Sequence, residues 1–445
     1  MSKDILCDEY PLHQCVFHNN LKQLTSILSN HSHPIDAKDV HGNTPLHLAV
    51  MLGHKECIQL LLAHGAPVKL KNNQGWSPLS EAISYGDRPM ITSLLRKLKR
   101  QSREAMEARR GDLVRALEQM GDFVMTLKWD FQSWVPLVSR MLPSDVCRIH
   151  KKGCCIRLDT TLVDFSEMKW ERGDISYIFR GNAKPSLSLI VMDNRSKVYQ
   201  KLRHEESEAE IEDEVDVLMS SDIVAAQIST KSITFTRAQS GWLFREDRTE
   251  MVGQFEADFY HIGGLYFESR KRREHLTNED LQKNKAIIET LTRGNVSNGL
   301  PIDNYSEPPP RRKSLPPPPK CRATWEEYIN SPTSKPPSLG REIICKGSIK
   351  SLKATLAMNE EFPMSISSLL NVLEVIASFN HFEKLREFVQ MKLPPGFPVK
   401  IDIPILPAVT ARITFQDFRF DDNIPDSKFE VPRDYTWDPN RFPEF

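Results

Sequence analysis

Apolar positions in the first hundred residues return in blocks about 33 residues apart, the period of stacked helix–turn–helix repeats. Within a block they fall three and four residues apart among polar neighbours, as in Ile58, Leu61 and Leu62, which predicts paired short helices. From Leu94 to about Leu142 the helical spacing runs on through Met106, Leu113, Leu117, Met120, Val124 and Leu127, and predicts amphipathic helices that Pro143 stops. Past residue 153 the texture changes to short β-rich runs. Cys155–Leu158, Thr161–Phe165, Ile175–Phe179, Leu187–Met192 and Lys197–Leu202 read as strands of an antiparallel meander, with turns at Arg180–Asn182 and Asp193–Asn194. A second β set is expected at Ser232–Arg237, Trp242–Arg245 and Leu265–Glu268. A helix over Ser367–Gln390 carries the stripe Leu369, Leu370, Leu373, Val375, Ile376, Phe379 and Phe382. Phe397–Pro407 and Ala411–Phe415 then return to the sheet, with proline marking an edge or bend.

The repeat blocks carry a recognisable turn chemistry. Gly42-Asn43-Thr44-Pro45-Leu46-His47-Leu48-Ala49, followed by Gly53-His54 and His64-Gly65-Ala66, resembles the ankyrin consensus; Gly75-Trp76-Ser77-Pro78-Leu79 repeats it. Gly42 and Gly75 permit the tight turn, Thr44 and Ser77 can satisfy orphan amides at a helix start, and Pro45 and Pro78 fit the first helical turn. An earlier copy, Pro11-Leu12-His13 with Leu24, Ile27 and Leu28, has Asp8 where the turn glycine belongs, as suits an N-terminal capping repeat. His13 and His47 are expected to orient the turns between repeats. The tips of those turns, Val40, His41, Asn73 and Gln74, are expected to project from the stack and to offer the protein-binding positions.

Composition narrows the function. Fifty-nine Lys and Arg balance fifty-nine Asp and Glu in 445 residues, which removes the whole-chain basic field of a dedicated nucleic-acid binder, so no nucleic-acid partner is expected. The basic cluster Arg96-Lys97-Leu98-Lys99-Arg100, with Arg103, Arg109 and Arg110, is expected to be a solvated helix face. Glu205–Asp216, with eight acidic residues, is read as a solvated loop or frayed helix. The N-terminus lacks the pattern of a secretory signal, and no apolar run approaches the roughly 18 residues of a spanning helix. Eight cysteines without a C-x-x-C pair suggest reduced thiols in a cytosolic compartment, with neither a disulfide framework nor a metal site. G-x-S-x-G, G-x-G-x-x-G, H-E-x-x-H, phosphate-loop and kinase signatures are absent, so no catalytic, cofactor or metal residue is assigned and an enzyme is not expected.

Proline is concentrated: eleven of thirty fall between residues 301 and 340. Such a stretch predicts an extended, disordered insertion interrupting a discontinuous domain. Within it Lys313, Pro316 and Pro319 fit a ligand for an Src-homology or WW-type groove. Arg311-Arg312-Lys313-Ser314 is similar to a basophilic kinase site.

The stretch Asp164-Phe-Ser-Glu-Met-Lys-Trp170-Glu-Arg-Gly173-Asp-Ile-Ser-Tyr-Ile-Phe179, placed after ankyrin repeats, resembles the ankyrin repeat domain-containing protein 13 family and its GPCR-chaperone domain. The resemblance covers nearly the whole chain. The tail Tyr435–Phe445 shows no Leu-x-x-Ala-Leu-x-x-Ser ubiquitin-interacting helix, so the C-type, endoplasmic-reticulum branch is the nearer match. It implies an α+β protein: an ankyrin α-solenoid over residues 1–100, a helical connector over 101–142, a β-rich module split between 143–300 and 341–437, the 301–340 insertion, and a tail over 438–445. It further implies a non-enzymatic chaperone or adaptor, without cofactors, that binds cytoplasmic regions of G-protein-coupled receptors. Such a protein would sit peripherally on the cytosolic side of the endoplasmic reticulum membrane and in the cytoplasm. A ubiquitin-linked endocytic adaptor and a lipid-binding β-rich module are the alternatives.

Overall fold

The computed structural model describes residues 9–133, 142–166, 169–201, 206–229, 232–241, 245–282, 284–285, 311–333, 336–376, 393–406, 409–439 and 441–442. Six helices open the chain: α1 (Pro11–Phe17), α2 (Leu21–Ser29), α3 (Pro45–Leu52), α4 (Lys55–Ala63), α5 (Pro78–Tyr85) and α6 (Arg88–Glu118). Proline begins α1, α3 and α5, where its missing amide costs nothing. Gly53 and Gly86 end α3 and α5 in the left-handed region, φ +72° and +85°. The repeat histidines do orient the turns: His13 Nε2 donates to the Asn43 carbonyl at 2.9 Å, and His47 Nε2 to the Trp76 carbonyl at 3.0 Å. His47 Nδ1 accepts from the Thr44 amide at 3.1 Å, which places the ring proton on Nε2. Burial lowers the pKa of both rings, that of His47 to about 4, so they stay neutral donors.

The chain divides into two compact units: residues 1–106, 206–227 and 268–348 form the first, and residues 107–205, 228–267 and 349–445 the second. In the first unit the repeats share one apolar core with three later stretches of chain. The acidic stretch forms a helix, Glu208–Ser220, whose Ser207 caps the Glu210 amide and receives the Glu210 carboxylate in return. Ile211, Val215 and Met219, spaced four apart, are its buried stripe. The expected insertion is also ordered where described: residues 311–324 run extended along the repeats, and a short helix, Trp325–Ile329, buries Trp325, Tyr328 and Ile329 in the same core. Proline kept this segment from regular structure without keeping it from docking, because Leu315, Trp325 and Tyr328 supply apolar anchors between the prolines.

The strands are β1 (Phe123–Ser133), β2 (Ser144–Lys152), β3 (Cys155–Ser166), β4 (Lys169–Arg180), β5 (Leu189–Asp193), β6 (Val198–Lys201), β7 (Ile223–Ser229), β8 (Thr234–Arg237), β9 (Gln239–Ser240) and β10 (Glu246–Asp247). They continue with β11 (Thr249–Val252), β12 (Phe255–Arg272), β13 (Cys345–Asn359), β14 (Phe397–Leu406), β15 (Val409–Phe420) and β16 (Thr436–Trp437). One sheet runs in the order β11-β12-β13-β14-β15-β1-β2-β3-β4-β5-β6-β16. The expected meander is its β3-β4-β5-β6 part, with β4–β5 pairing Tyr177 to Val191 and β5–β6 pairing Val191 to Gln200.

One expectation changes and another is narrowed. Residues 123–133 are strand β1, not helix: α6 stops at Glu118, Gly121-Asp122 breaks the period, and Phe123, Met125, Leu127, Trp129 and Phe131 alternate on one face. Of the edge or bend expected at the C-terminal prolines, the bend is found: β14 lies between β13 and β15, and Pro398 and Pro404 sit where the register shifts, the tolerated place for a residue without an amide donor. The C-terminal helix is described over Ile366–Ile376. The rest of its expected span, and residues 242–244 of the strand expected over Trp242–Arg245, lie outside the described residues.

Candidate interaction surface

Two repeat turns, residues 39–43 and 72–76, are built as matched Asx turns. Asp39 Oδ1 accepts from the amides of His41 and Asn43 at 2.9 and 2.8 Å; Asn72 Oδ1 accepts from those of Gln74 and Trp76 at 3.1 and 3.0 Å. The turns are tied to each other by the Asn73 amide donating to the His41 carbonyl at 3.1 Å. This is the face that ankyrin repeats leave for a partner in the sequence reading, and here the chain's own later segment lies on it.

The Tyr328 hydroxyl donates to Asp39 Oδ2 at 2.6 Å and accepts from the Asn43 side-chain amide at 2.8 Å. Its carbonyl receives His41 Nε2 at 2.9 Å, and the two rings lie 4.8 Å apart. Burial, reinforced by the Asp39 carboxylate, drives the phenol pKa upward, so the hydroxyl is a permanent donor. Thr324 opens the short helix with a capping box to Glu327, which fixes the direction in which Trp325 and Tyr328 enter the repeats.

Beside this contact lies a buried ion cluster. Arg272, fully buried, meets Glu81 at 2.8 Å and Glu274 at 2.6 Å, and its guanidinium stands 5.0 Å over the Trp76 ring. The Ser84 hydroxyl donates to Glu274 at 2.7 Å. Burial alone would raise the Glu274 carboxyl, but Arg272 and Ser84 outweigh it and hold the group below its ordinary pKa. A cavity of about 540 Å³ opens at this place, with Trp76, Tyr85, Tyr328 and Leu339 as its apolar wall and Glu81 and Arg270 as its charged one. Arg270 Nη1 donates to the Gln74 carbonyl at 3.0 Å.

A third patch joins the basic face of α6 to the acidic helix. Lys99 meets Glu214 at 2.8 Å and Glu206 at 3.3 Å, Arg103 meets Glu206 at 2.5 Å, and Arg96 pairs with Glu208. Arg88 bridges Glu212, at 2.5 Å, and Asp216. The basic cluster and the acidic block, each read from sequence as a solvated face, are thus in good part each other's counterions.

The site residues named from the sequence separate on this surface. His41 is 3% exposed and covered by Tyr328, so it does not project; a ring flanked by the valine, glycine and asparagine of a turn gave no sign of a cover coming from residue 328. Val40 and Gln74 are half-buried, and Gln74 lines the cavity. Asn73 alone of the four stands exposed, its side chain donating to the Val40 carbonyl at 3.3 Å. Lys313, Pro316 and Pro319 lie exposed on the extended segment, away from the cavity wall; the Pro316 carbonyl accepts from Arg341 at 2.9 Å. Tyr328, Asp39 and the Arg272 cluster were not found from sequence; the spacing of Thr324 and Glu327, that of a capping box, is the signal that could have marked the helix carrying Tyr328.

The groups gathered at this surface hydrogen-bond and ion-pair with one another. Ser331 Oγ lies 3.2 Å from His41 Nε2, yet that nitrogen carries its proton toward the Tyr328 carbonyl, and Ser331 donates to the same carbonyl at 2.7 Å. No base faces the hydroxyl in this pair. Among the described residues no three His, Cys, Asp or Glu side chains gather as a metal would require. In the second unit the inner face of the sheet is filled by aromatic packing, with Phe362 stacked on Phe397 at 3.8 Å and against Phe418 at 5.1 Å.

Comparison with known proteins adds lineage to this geometry. The family model described as ANKRD13 C-terminal matches residues 157–439, and the ankyrin repeat model in three copies matches residues 12–103. The chain is 62% identical over 435 residues to ankyrin repeat domain-containing protein 13C-A of Xenopus laevis, covering 98% of this chain and 84% of that protein. It is equally 62% identical to ankyrin repeat domain-containing protein 13C of Homo sapiens, covering 98% of this chain and 79% of that one. Ankyrin repeat domain-containing protein 13D of Mus musculus is 35% identical over 420 residues, 92% of this chain and 69% of its own length.

Proposed function

Because the chain belongs to the ankyrin repeat domain-containing protein 13 family, we propose that it acts without catalysis of its own, holding maturing G-protein-coupled receptors at the cytosolic face of the endoplasmic reticulum and slowing their exit. The observation that carries this reading is the match to the 13C proteins over 98% of this chain, which takes in both the repeats and the β-rich module. The chemistry is compatible with it. A receptor presents cytoplasmic loops and tails as short peptides with both aromatic and basic side chains. The cavity beside Tyr85, lined also by the exposed Glu342, offers an aromatic face and a carboxylate to such a peptide. Among the described residues no helix is long and apolar enough to cross a membrane, so the proposal places the contact with the membrane in the client.

Proximity labelling by the tagged full chain in intact cells tests this. Receptors carrying immature, endoplasmic-reticulum-type glycans should be enriched, and raising the chain's level should delay their appearance at the cell surface. Recovery of surface-mature receptors alone would overturn the reading. Micromolar binding of ubiquitin chains by the purified protein would move it toward an endocytic adaptor.

A further inference from the structure

Ser314 belongs to the Arg311-Arg312-Lys313-Ser314-Leu315 run, with arginines three and two residues before the hydroxyl. The site is neither loose nor buried. Ser314 is exposed, and its Oγ accepts from the backbone amide of Arg88 at 2.9 Å, standing as a cap on the first turn of α6. One residue on, the Leu315 amide donates to the Gly86 carbonyl at 2.8 Å. The two arginines that an arginine-directed kinase would read are engaged within the chain. Arg312 grips Asp280 through two nitrogens at 2.7 and 2.6 Å, and its amide donates to Asp216 at 2.9 Å. Arg311 pairs with Asp213 and, at 3.1 Å, with Asp216.

We propose that Ser314 is a phosphorylation site for an arginine-directed serine/threonine kinase, and that its phosphate loosens the 311–316 segment from the repeats. In the transfer, Ser314 Oγ bonds to the γ-phosphorus of Mg-ATP while the bond from that phosphorus to the β–γ bridging oxygen breaks. ADP leaves, and the hydroxyl proton passes to the kinase's catalytic aspartate. The kinase supplies nucleotide and base; this chain supplies the hydroxyl and the two arginines.

Charge decides the consequence. Arg88, Arg311 and Arg312, with Lys313 beside them, are set against Glu212, Asp213, Asp216 and Asp280, a balanced group. A phosphate adds about −1.5 to −2 charges to it at neutral pH. The α6 N-terminus favours an anion, but Glu212 and Asp216 stand against the same Arg88, and Asp216 also holds the Arg312 amide, so their carboxylates repel the added charge. The arginines gain most by turning from Asp213, Asp216 and Asp280 to the phosphate, which unfastens the segment. The same pairs make the site cryptic, since a kinase can bind Arg311 and Arg312 only when they leave their carboxylates.

The test uses the full chain with the catalytic subunit of cAMP-dependent protein kinase and Mg-ATP, followed by mass spectrometry and hydrogen exchange. One phosphate should appear at Ser314 and be missing from Ser314→Ala. In the phosphorylated protein the amides of Arg312, Leu315 and Arg88 should exchange on the order of tenfold faster, as expected when their closing contacts are lost. Asp213→Asn, at an exposed position, and Asp280→Asn should each raise the initial rate of phosphorylation severalfold, the first by leaving Arg311 with Asp216 alone and the second by removing the two-nitrogen grip on Arg312. No phosphate at Ser314, exchange unchanged after phosphorylation, or rates equal to wild type in both asparagine variants would each overturn the proposal.

Discussion

Removing one oxygen, by Tyr328→Phe, tests whether the later segment is fastened to the repeat turns by polar chemistry or by apolar packing alone. The ring keeps its neighbours, Phe17 at 5.9 Å and His41 at 4.8 Å, so the apolar contribution is unchanged. What goes is a charge-assisted hydrogen bond of 2.6 Å to Asp39 and a neutral one of 2.8 Å from Asn43. The first contributes about 1.5–3 kcal/mol and the second about 1 kcal/mol, and a buried carboxylate oxygen left without its donor adds to the loss. Asp39 Oδ1 retains the His41 and Asn43 amides, which limits the damage to one oxygen. A total near 3 kcal/mol corresponds to roughly two orders of magnitude in the opening equilibrium of the Trp325–Ile329 helix. Native-state hydrogen exchange at the Tyr328 amide, which donates to the Thr324 carbonyl at 3.0 Å, reads that opening directly. Exchange within about threefold of wild type would refute the reasoning and assign the fastening to Trp325 and Ile329.

Other expectations follow from the same unit. Arg272→Ala leaves Glu81 and Glu274 as buried, unpaired carboxylates and should destabilise the first unit by about 3–5 kcal/mol in urea, whereas Arg272→Met combined with Glu81→Gln and Glu274→Gln should recover most of it; equal stability of the two variants would contradict the ion-cluster account. His47 titrates near 6.5 when unfolded and, by burial, at about 4 when folded, so the unfolded chain takes up the proton first. Stability is therefore intact above that upper value and declines as pH falls toward about 4, and His47→Gln should flatten the decline in thermal melts between pH 7 and 4. Glu274, held low in the fold, acts in the same direction further down, its contribution present above the ordinary glutamate pKa and lost as acid protonates it. Gly42→Ala places a methyl at φ +75° against the Asn73 side chain and backbone, and should lower the melting temperature of the repeats more than Gly111→Ala, where nothing lies near.

The repeats were legible because their chemistry is local: a glycine, a hydroxyl and a proline within four residues settle a turn and a helix start. Strand β1 was misread because Val124 and Leu127 satisfy a helical count, while the alternation of Phe123, Met125, Leu127, Trp129 and Phe131 that decides the matter runs through the same residues. The interaction surface was largely illegible for a different reason. Asp39 and Tyr328 are 289 positions apart, and the acidic helix meets α6 across more than a hundred, so each sequence segment shows only half of a pair. A lone charged face reads as solvated until its counterface is known. The proline segment misled likewise, since its composition reports the absence of regular structure and is silent about docking.

The Trp325–Ile329 helix lies on Asp39, His41 and Asn43 as part of the same molecule. An outside peptide that seeks those three residues therefore meets a tethered rival, whose effective concentration is fixed by its attachment to the same chain. Diluting the protein does not weaken that rival, because both grow scarce together. Affinities measured for peptides on the intact chain would accordingly understate what the bare turns can bind, and a client would gain access most readily by a second foothold elsewhere on the molecule.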